Sequence, residues 1–253
     1  MSGIFQFLVK SEYPSLHYVG VPYIAVENQY QDFVEPYMFA ALSWYHEDTQ
    51  GTTPRRRHGF PSWTWAGWAG PIRRMYYGFR VRVHKQYDHS LKLRVRGLLM
   101  ESANGDMSPA AVYLELKEPI SSCPGSAVAI RFEALAIPST SFFFDGELGN
   151  WDTTLVCGRN TFRAMTPPTG TPAEFVQHLN DGTWSCLWMG DYLNPFGTPR
   201  CFTFLLVAEW QTAETAVRVG TIVLEKRFRE RNSTEYNLLI AEEELKWVKV
   251  RLV

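Results

Sequence analysis

From about Tyr76 onward the apolar residues of this chain recur at every second position. Residues 78–85 (GFRVRVHK) and 91–99 (LKLRVRGLL) alternate apolar with basic side chains, the period of half-buried strands, with 86–90 (QYDHS) as the turn between them. Six further segments have strand composition: 111–117, 126–135, 183–190, 201–210, 216–225 and 245–253. Helical spacing is confined to 4–9, 35–46 and 171–180. In 35–46, Phe39, Leu42 and His46 recur at i, i+3 and i+7 behind Pro36, which suits a first turn. In 171–180, Thr171, Pro172 and Glu174 take the N-cap, N1 and N3 positions. This pattern predicts an α+β fold that is predominantly antiparallel β, a sandwich or barrel-like body behind a short helical N-terminal lead-in. The lead-in spans 1–53 and the β-rich C-terminal domain 54–253, or the two form a single domain over 1–253. Residues 102–109 and 166–172 are the weak spots for a boundary, each too short for a flexible linker.

The stretch from Pro54 to Ile72, PRRRHGFPSWTWAGWAGPI, fits neither period. Trp63, Trp65 and Trp68 follow Arg55, Arg56 and Arg57, and the run is interrupted by Gly59, Pro61, Gly67, Gly70 and Pro71. Strand alternation puts Trp63, Trp65 and Gly67 on one side, and Ser62, Thr64, Ala66 and Trp68 on the other. Burying one indole removes ~150–250 Å² from water, so two on a face can anchor a core. An exposed platform would leave that area wet, which marks a binding site. Packing is the favoured role for Phe60, Pro61, Trp63, Trp65 and Gly67. Trp68, on the opposite parity, is expected to be exposed.

Charge sharpens the picture. The whole chain carries −1, with 45% apolar, 20% charged and 15% aromatic residues, the balance of a folded protein rather than a disordered one. Between Arg55 and Arg96 there are eleven bases and one acid, Asp88, a net +10 that leaves −11 for the remainder. Arg55, Arg56, Arg57, Trp68, Arg73, Arg74, Arg80 and Arg82 are the candidate interaction surface. Arginine beside tryptophan also grips single-stranded nucleic acid, so a nucleic-acid or phospholigand module is an alternative. The near-neutral total favours internal compensation, with this face paired to acidic segments or simply solvated. No run of ~18 apolar residues is present to span a bilayer, and the N-terminus has no signal-peptide pattern, so a cytoplasmic location without membrane contact is expected. Cys123, Cys157, Cys186 and Cys201 form no CxxC pair and are expected as free thiols.

Catalytic signatures are scarce. The sequence contains no G-x-S-x-G, no phosphate-cradling glycine motif and no H-E-x-x-H. His84 and His89 flank the 86–90 turn, where two exposed turn histidines are the simpler reading than a metal pair. No catalytic, metal or cofactor-binding residue is assigned. An enzyme or binder with an aromatic small-molecule pocket remains a further alternative.

Phe60-Pro61-Ser62-Trp63-Thr64-Trp65-Ala66-Gly67-Trp68 closely resembles the FPSWSWAGW segment of fungal heterokaryon-incompatibility (HET-domain) proteins. Ala41-Leu42-Ser43-Trp44 is similar to the helix-ending motif that precedes this segment in the family, and Arg55-Arg56-Arg57 to its arginine pair. Ser2-Gly3-Ile4-Phe5, Gly20-Val21-Pro22, Gly182–Leu187, Phe204–Val207, Arg218-Val219-Gly220 and Leu245–Lys249 follow in the family's order. The N-terminal α/β domain motifs of the family are missing, so the resemblance is to its C-terminal region and transfers no catalytic residue. It implies a scaffold, sensor or interaction module in non-self recognition and cell-death signalling. The implied partner is another protein or the absent N-terminal domain.

Overall fold

The structure, a computed structural model, describes residues 15–18, 21–24, 42–46, 55–57, 59–64, 67–70, 72–74, 91–102, 105–109, 111–112, 129–137, 142–145, 154–157, 160–164, 172–194, 200–227 and 245–253. Strands dominate. Three small pairs come first: β1 (Ser15–Tyr18) with β2 (Val21–Ile24), β3 (Trp44–His46) with β6 (Ile72–Arg74), and β4 (Arg55–Arg56) with β5 (Trp68–Ala69). The body is one sheet of eleven strands. Its members are β7 (Leu91–Leu93), β8 (Val95–Ser102), β9 (Gly105–Met107), β10 (Ala129–Ile137), β11 (Phe142–Asp145), β12 (Thr154–Cys157), β13 (Asn160–Ala164), β14 (Trp184–Asn194), β15 (Arg200–Trp210), β16 (Thr215–Arg227) and β17 (Lys246–Leu252). The helix α1 (Pro172–Asn180) precedes β14.

The sheet closes on itself. β10 pairs with β14, β14 with β15, β15 with β16, and β17 joins β16 back to β10. A ring of five strands cannot alternate direction all the way round, so one neighbouring pair must be parallel. That pair is β16–β17, with only Thr215 opposite Arg251 and Ala216 opposite Leu252. Its ladder bonds are Arg251 N–H to Glu214 O at 2.7 Å and Val253 N–H to Ala216 O at 3.0 Å. Closure hides edges that an open sheet would expose.

Inward positions fill the ring. Ile130, Phe132 and Ala134 of β10, Leu187 and Met189 of β14, Phe204, Leu206 and Ala208 of β15, and Val250 and Leu252 of β17 belong to one buried cluster with Leu98, Met100, Leu42 and Trp63. On the opposite face of β10 only Arg131 and Glu133 are polar and reach solvent, while Ala129, Leu135 and Ile137 are covered. β15 is buried on both faces, because Leu205 and Val207 are also covered. Under α1, Phe175 meets Trp184 at 6.2 Å between ring centroids and His178 stacks on the same indole at 4.4 Å. Gly182, at φ 75°, turns the chain out of the helix, with its N–H bonded to Leu179 O at 3.2 Å.

The strand-rich body and helix 172–180 are as the periodicities indicate, and the strands run slightly longer than their apolar cores. The helical candidate 35–46 is corrected at its end: Leu42 is helical, but Trp44–His46 is a strand paired with Ile72–Arg74. Bulky aromatic residues at 44 and 45 favour a pleated edge, and the pairing with β6 overrides the helical spacing. Residues 4–9, 35–41 and 78–85 lie outside the described residues. The strand expected over 111–117 begins as a helical turn at Ala111–Val112, capped by Ser108, whose hydroxyl accepts from Ala111 N–H at 3.2 Å. The boundary suggested at 102–109 is instead the β8–β9 hairpin, with Gly105 at φ 114°.

Candidate functional site: the tryptophan-rich segment at the barrel seam

Residues 61–64 are turns, not the strand that alternation predicts. Prolines and glycines at close spacing deny the segment a ladder, so three consecutive side chains, Ser62, Trp63 and Thr64, are all buried. Thr64 Oγ1 accepts from Gly67 N–H at 3.1 Å and donates to Pro61 O at 3.2 Å, fastening the turn internally. A Cβ on Gly67 would fall far inside contact distance of the Pro61 carbonyl oxygen and of the Arg56 guanidinium, so close backbone approach requires glycine there.

Ser62 sits where the short parallel seam of the ring runs out. The next rung of the β16–β17 ladder would join Arg218 N–H to Val253 O. Instead the Ser62 hydroxyl lies between them, accepting from Arg218 N–H at 2.9 Å and donating to Val253 O. The Ser62 amide donates to the same carbonyl at 3.0 Å. One side chain thereby completes the closure.

Arg218 fixes the neighbouring strand from below. It is 2% exposed, and burial pushes its guanidinium down to about 9. Its Nη1 donates to Leu42 O at 2.8 Å, and its Nη2 donates to Trp44 O and to Thr221 Oγ1, the latter at 2.5 Å. The guanidinium also lies 3.7 Å from the centroid of the Trp44 ring, a cation–π contact. The register shift between Val207 and Ala208 leaves Val219 as an extra residue on β16, and that bulge re-aims Arg218.

The indoles join this frame. Trp44 Nε1 donates to Trp63 O at 3.3 Å and Trp68 Nε1 to Ser62 O at 2.9 Å, while the Trp44 and Trp68 rings meet edge to face at 6.4 Å. Trp63 enters the ring's core. Among the described residues no acceptor reaches Trp63 Nε1. Trp68 is 8% exposed, contrary to the exposure expected from its parity. Because the segment turns rather than extends, parity assigns no side.

The arginines divide into two kinds. Arg56 turns back onto the segment: Nη1 donates to Gly67 O at 2.7 Å, Nη2 to Phe60 O at 2.6 Å, and its charge lies 5.7 Å from the Trp68 centroid. Partial burial lowers its pKa. Arg55 and Arg57 are exposed on either side of it, and Phe60 is 45% exposed. Arg73 and Arg74 lie on β6 opposite Tyr45 and Trp44. Trp65, Arg80 and Arg82 lie outside the described residues.

Arg94 and Arg96 do not share a basic face, because one is buried and the other exposed. Arg94 stands where the chain leaves β14 to pair with β10, its N–H bonded to Met189 O at 3.0 Å. It is buried, with Nε on Asp191 Oδ2 at 3.1 Å and the guanidinium 4.4 Å from the Trp188 centroid. Asp191 also accepts from Trp188 Nε1 at 3.0 Å and Thr203 Oγ1 at 2.8 Å. Burial pushes its carboxyl up, opposed by Thr203, Arg94 and Trp188. Arg96 is exposed but bonded to Glu133 at 3.0 Å and laid over Trp247 at 3.7 Å. These bases are compensated inside the fold.

Ser62 and Arg218 stand in the motifs that carry the resemblance, but their roles, like the Arg94–Asp191 pairing, are not given by those motifs. Arg218 carried a signal, a lone base at a core parity of the apolar run 216–225. The bridging role of Ser62 carried none, because it depends on a seam between strands remote in sequence. A shallow open depression lined by Ser185, Trp210, Thr212, Ala213, Glu214, Val248 and Lys249 lies elsewhere on the surface, with Trp210 Nε1 bonded to Ser185 Oγ at 2.8 Å. Among the described residues no three His, Cys, Asp or Glu side chains group as metal ligands, and no helix is long and apolar enough to cross a membrane. No family model, curated protein or solved structure matches the chain.

Proposed function

We propose that this chain is a non-catalytic scaffold and interaction module of the kind that the heterokaryon-incompatibility resemblance implies, working in fungal non-self recognition and cell-death signalling. One observation carries the reading. The segment that bears the resemblance closes the barrel seam through Ser62 and braces itself internally through Trp68 and Arg56, while holding Arg55, Arg57 and Phe60 outward. Binding loops on rigid scaffolds are built this way, with the anchor inside and the contact residues on the rim. The partner is a protein, either a separate one or an α/β domain of the heterokaryon-incompatibility type.

The test is calorimetric titration of the purified chain with a purified α/β domain from a heterokaryon-incompatibility protein, with NAD consumption assayed on the chain alone. Association without turnover supports the module. Turnover of NAD by the chain itself would place catalysis here and overturn the reading; a titration without heat would remove the domain as partner.

A further inference from the structure

We propose that Arg55, Arg57 and Phe60 form a docking knuckle for an acidic protein surface, one that offers carboxylates to the two guanidiniums and an apolar socket to the phenyl ring. This inference rests on the interaction-module reading and names the partner's chemistry. Three observations carry it.

The knuckle is exposed and chemically unspent. Arg55 and Arg57 flank Arg56 with their side chains in solvent, and among the described residues neither guanidinium has an ion-pair partner. No acid occurs between Asp48 and Asp88, so the local sequence supplies no carboxylate for them. Phe60 is one of two large apolar side chains among the described residues to stand exposed, the other being Trp247. Trp247 is already covered on one side by Arg96. Phe60 has no such cover from a described residue.

The knuckle is also held. Arg56 reaches beneath it to the carbonyl of Phe60 and across to that of Gly67, and Arg57 N–H bonds Gly67 O at 2.8 Å. Gly59, at φ 88° with open space around it, makes the turn that carries Phe60 outward. A loop fixed before binding loses little entropy on binding, which concentrates affinity in few residues.

Composition selects the partner. Arginine and aromatic anchors dominate protein hot spots, and the guanidinium fork matches a carboxylate with two parallel bonds. Single-stranded nucleic acid needs a basic groove several nucleotides long. Of the other bases in the 55–96 stretch, Arg94 and Arg96 are held by Asp191 and Glu133. Two arginines and one ring make a spot rather than a track.

Fluorescence anisotropy of the whole chain with three labelled probes tests this: a glutamate-rich peptide with a central Leu-Phe-Leu, the same peptide with Gly-Ser-Gly in its place, and oligothymidylate. The apolar-centred acidic peptide should bind best and weaken as salt rises. Arg55→Glu with Arg57→Glu should weaken it about tenfold or more, and Phe60→Ala by a similar factor, at unchanged melting temperature. Equal binding by these variants, or no binding of either peptide, overturns the knuckle while the calorimetric result for the module stands or falls separately. Binding of oligothymidylate with loss of the peptides would assign the two arginines to phosphate instead.

Discussion

Trp63 holds two opposing contributions in one side chain. Its ring fills the ring core from one end, yet its indole N–H is buried with no acceptor among the described residues. Removing the ring and removing the donor are therefore different experiments. Trp63→Ala should cost about 3–5 kcal/mol through the cavity it leaves. Trp63→Phe deletes the unpaired donor, whose burial costs about 1–3 kcal/mol, while keeping most of the aromatic area. It should come within about 1 kcal/mol of the parent, and thermal or urea unfolding of the two variants reads the contrast. Similar large losses for both would mean that the N–H has a partner or that indole shape is indispensable. Trp68 gives the counter-example on the same segment, because its Nε1 is spent on Ser62 O.

At the scale of elements, the fork where the β7–β8 strand passes from β14 to β10 is held by Arg94 and Asp191. Each is buried, so each depends on the other to remain charged at low cost. Asp191→Asn should destabilise by about 3–5 kcal/mol, since it removes the carboxylate charge that faces the buried Arg94 guanidinium. The double variant Arg94→Met with Asp191→Leu should be markedly less damaging than the sum of the single changes, and a double-mutant cycle on unfolding free energy measures that coupling. Additive losses would show that the pair does not act as a unit. This fork also explains what could be foreseen from sequence. The alternation over 91–99 was legible as strand, and β15 and β16 were legible almost to their ends. Parity failed at Arg94, where the strand bends between partners, and again at Gly97, at φ 65°, after which Leu98 and Met100 take the inward side. In the tryptophan segment the residues that matter were visible as a motif, but their sidedness was not, because turns carry no period. The bridging role of Ser62 depends on Val253 and Arg218, and no local pattern encodes a contact over that separation.

The five-stranded ring is joined most briefly at β16–β17, with two residue pairs against three at β10–β14. β14–β15 and β15–β16 are paired along their whole lengths, whereas β16–β17 is joined by two residue pairs and then by the Ser62 hydroxyl. Opening should begin at that joint, because fewest bonds hold it and the strands on either side are long enough to survive. Native-state hydrogen exchange should show the amides of Arg218, Arg251 and Val253 exchanging at lower free energy than those of Leu205, Leu206 and Leu187. Ser62→Ala should speed exchange at the three seam amides and leave the β14–β15 amides nearly unchanged. Acid should act at the same place. Glu101 accepts from Arg251 Nε at 2.7 Å and Nη2 at 2.5 Å, and that bonding holds its carboxyl below its ordinary value of 4.5. The unfolded chain therefore takes up the proton first. The pair's contribution is present above about 4.5 and is lost as pH falls through the lower folded value, modestly, since both groups are partly in solvent. Seam exchange should accelerate in that acid range more than exchange in β14–β15, and Glu101→Gln should abolish the difference. Uniform acceleration across all strands would instead show that the ring opens as a single cooperative unit.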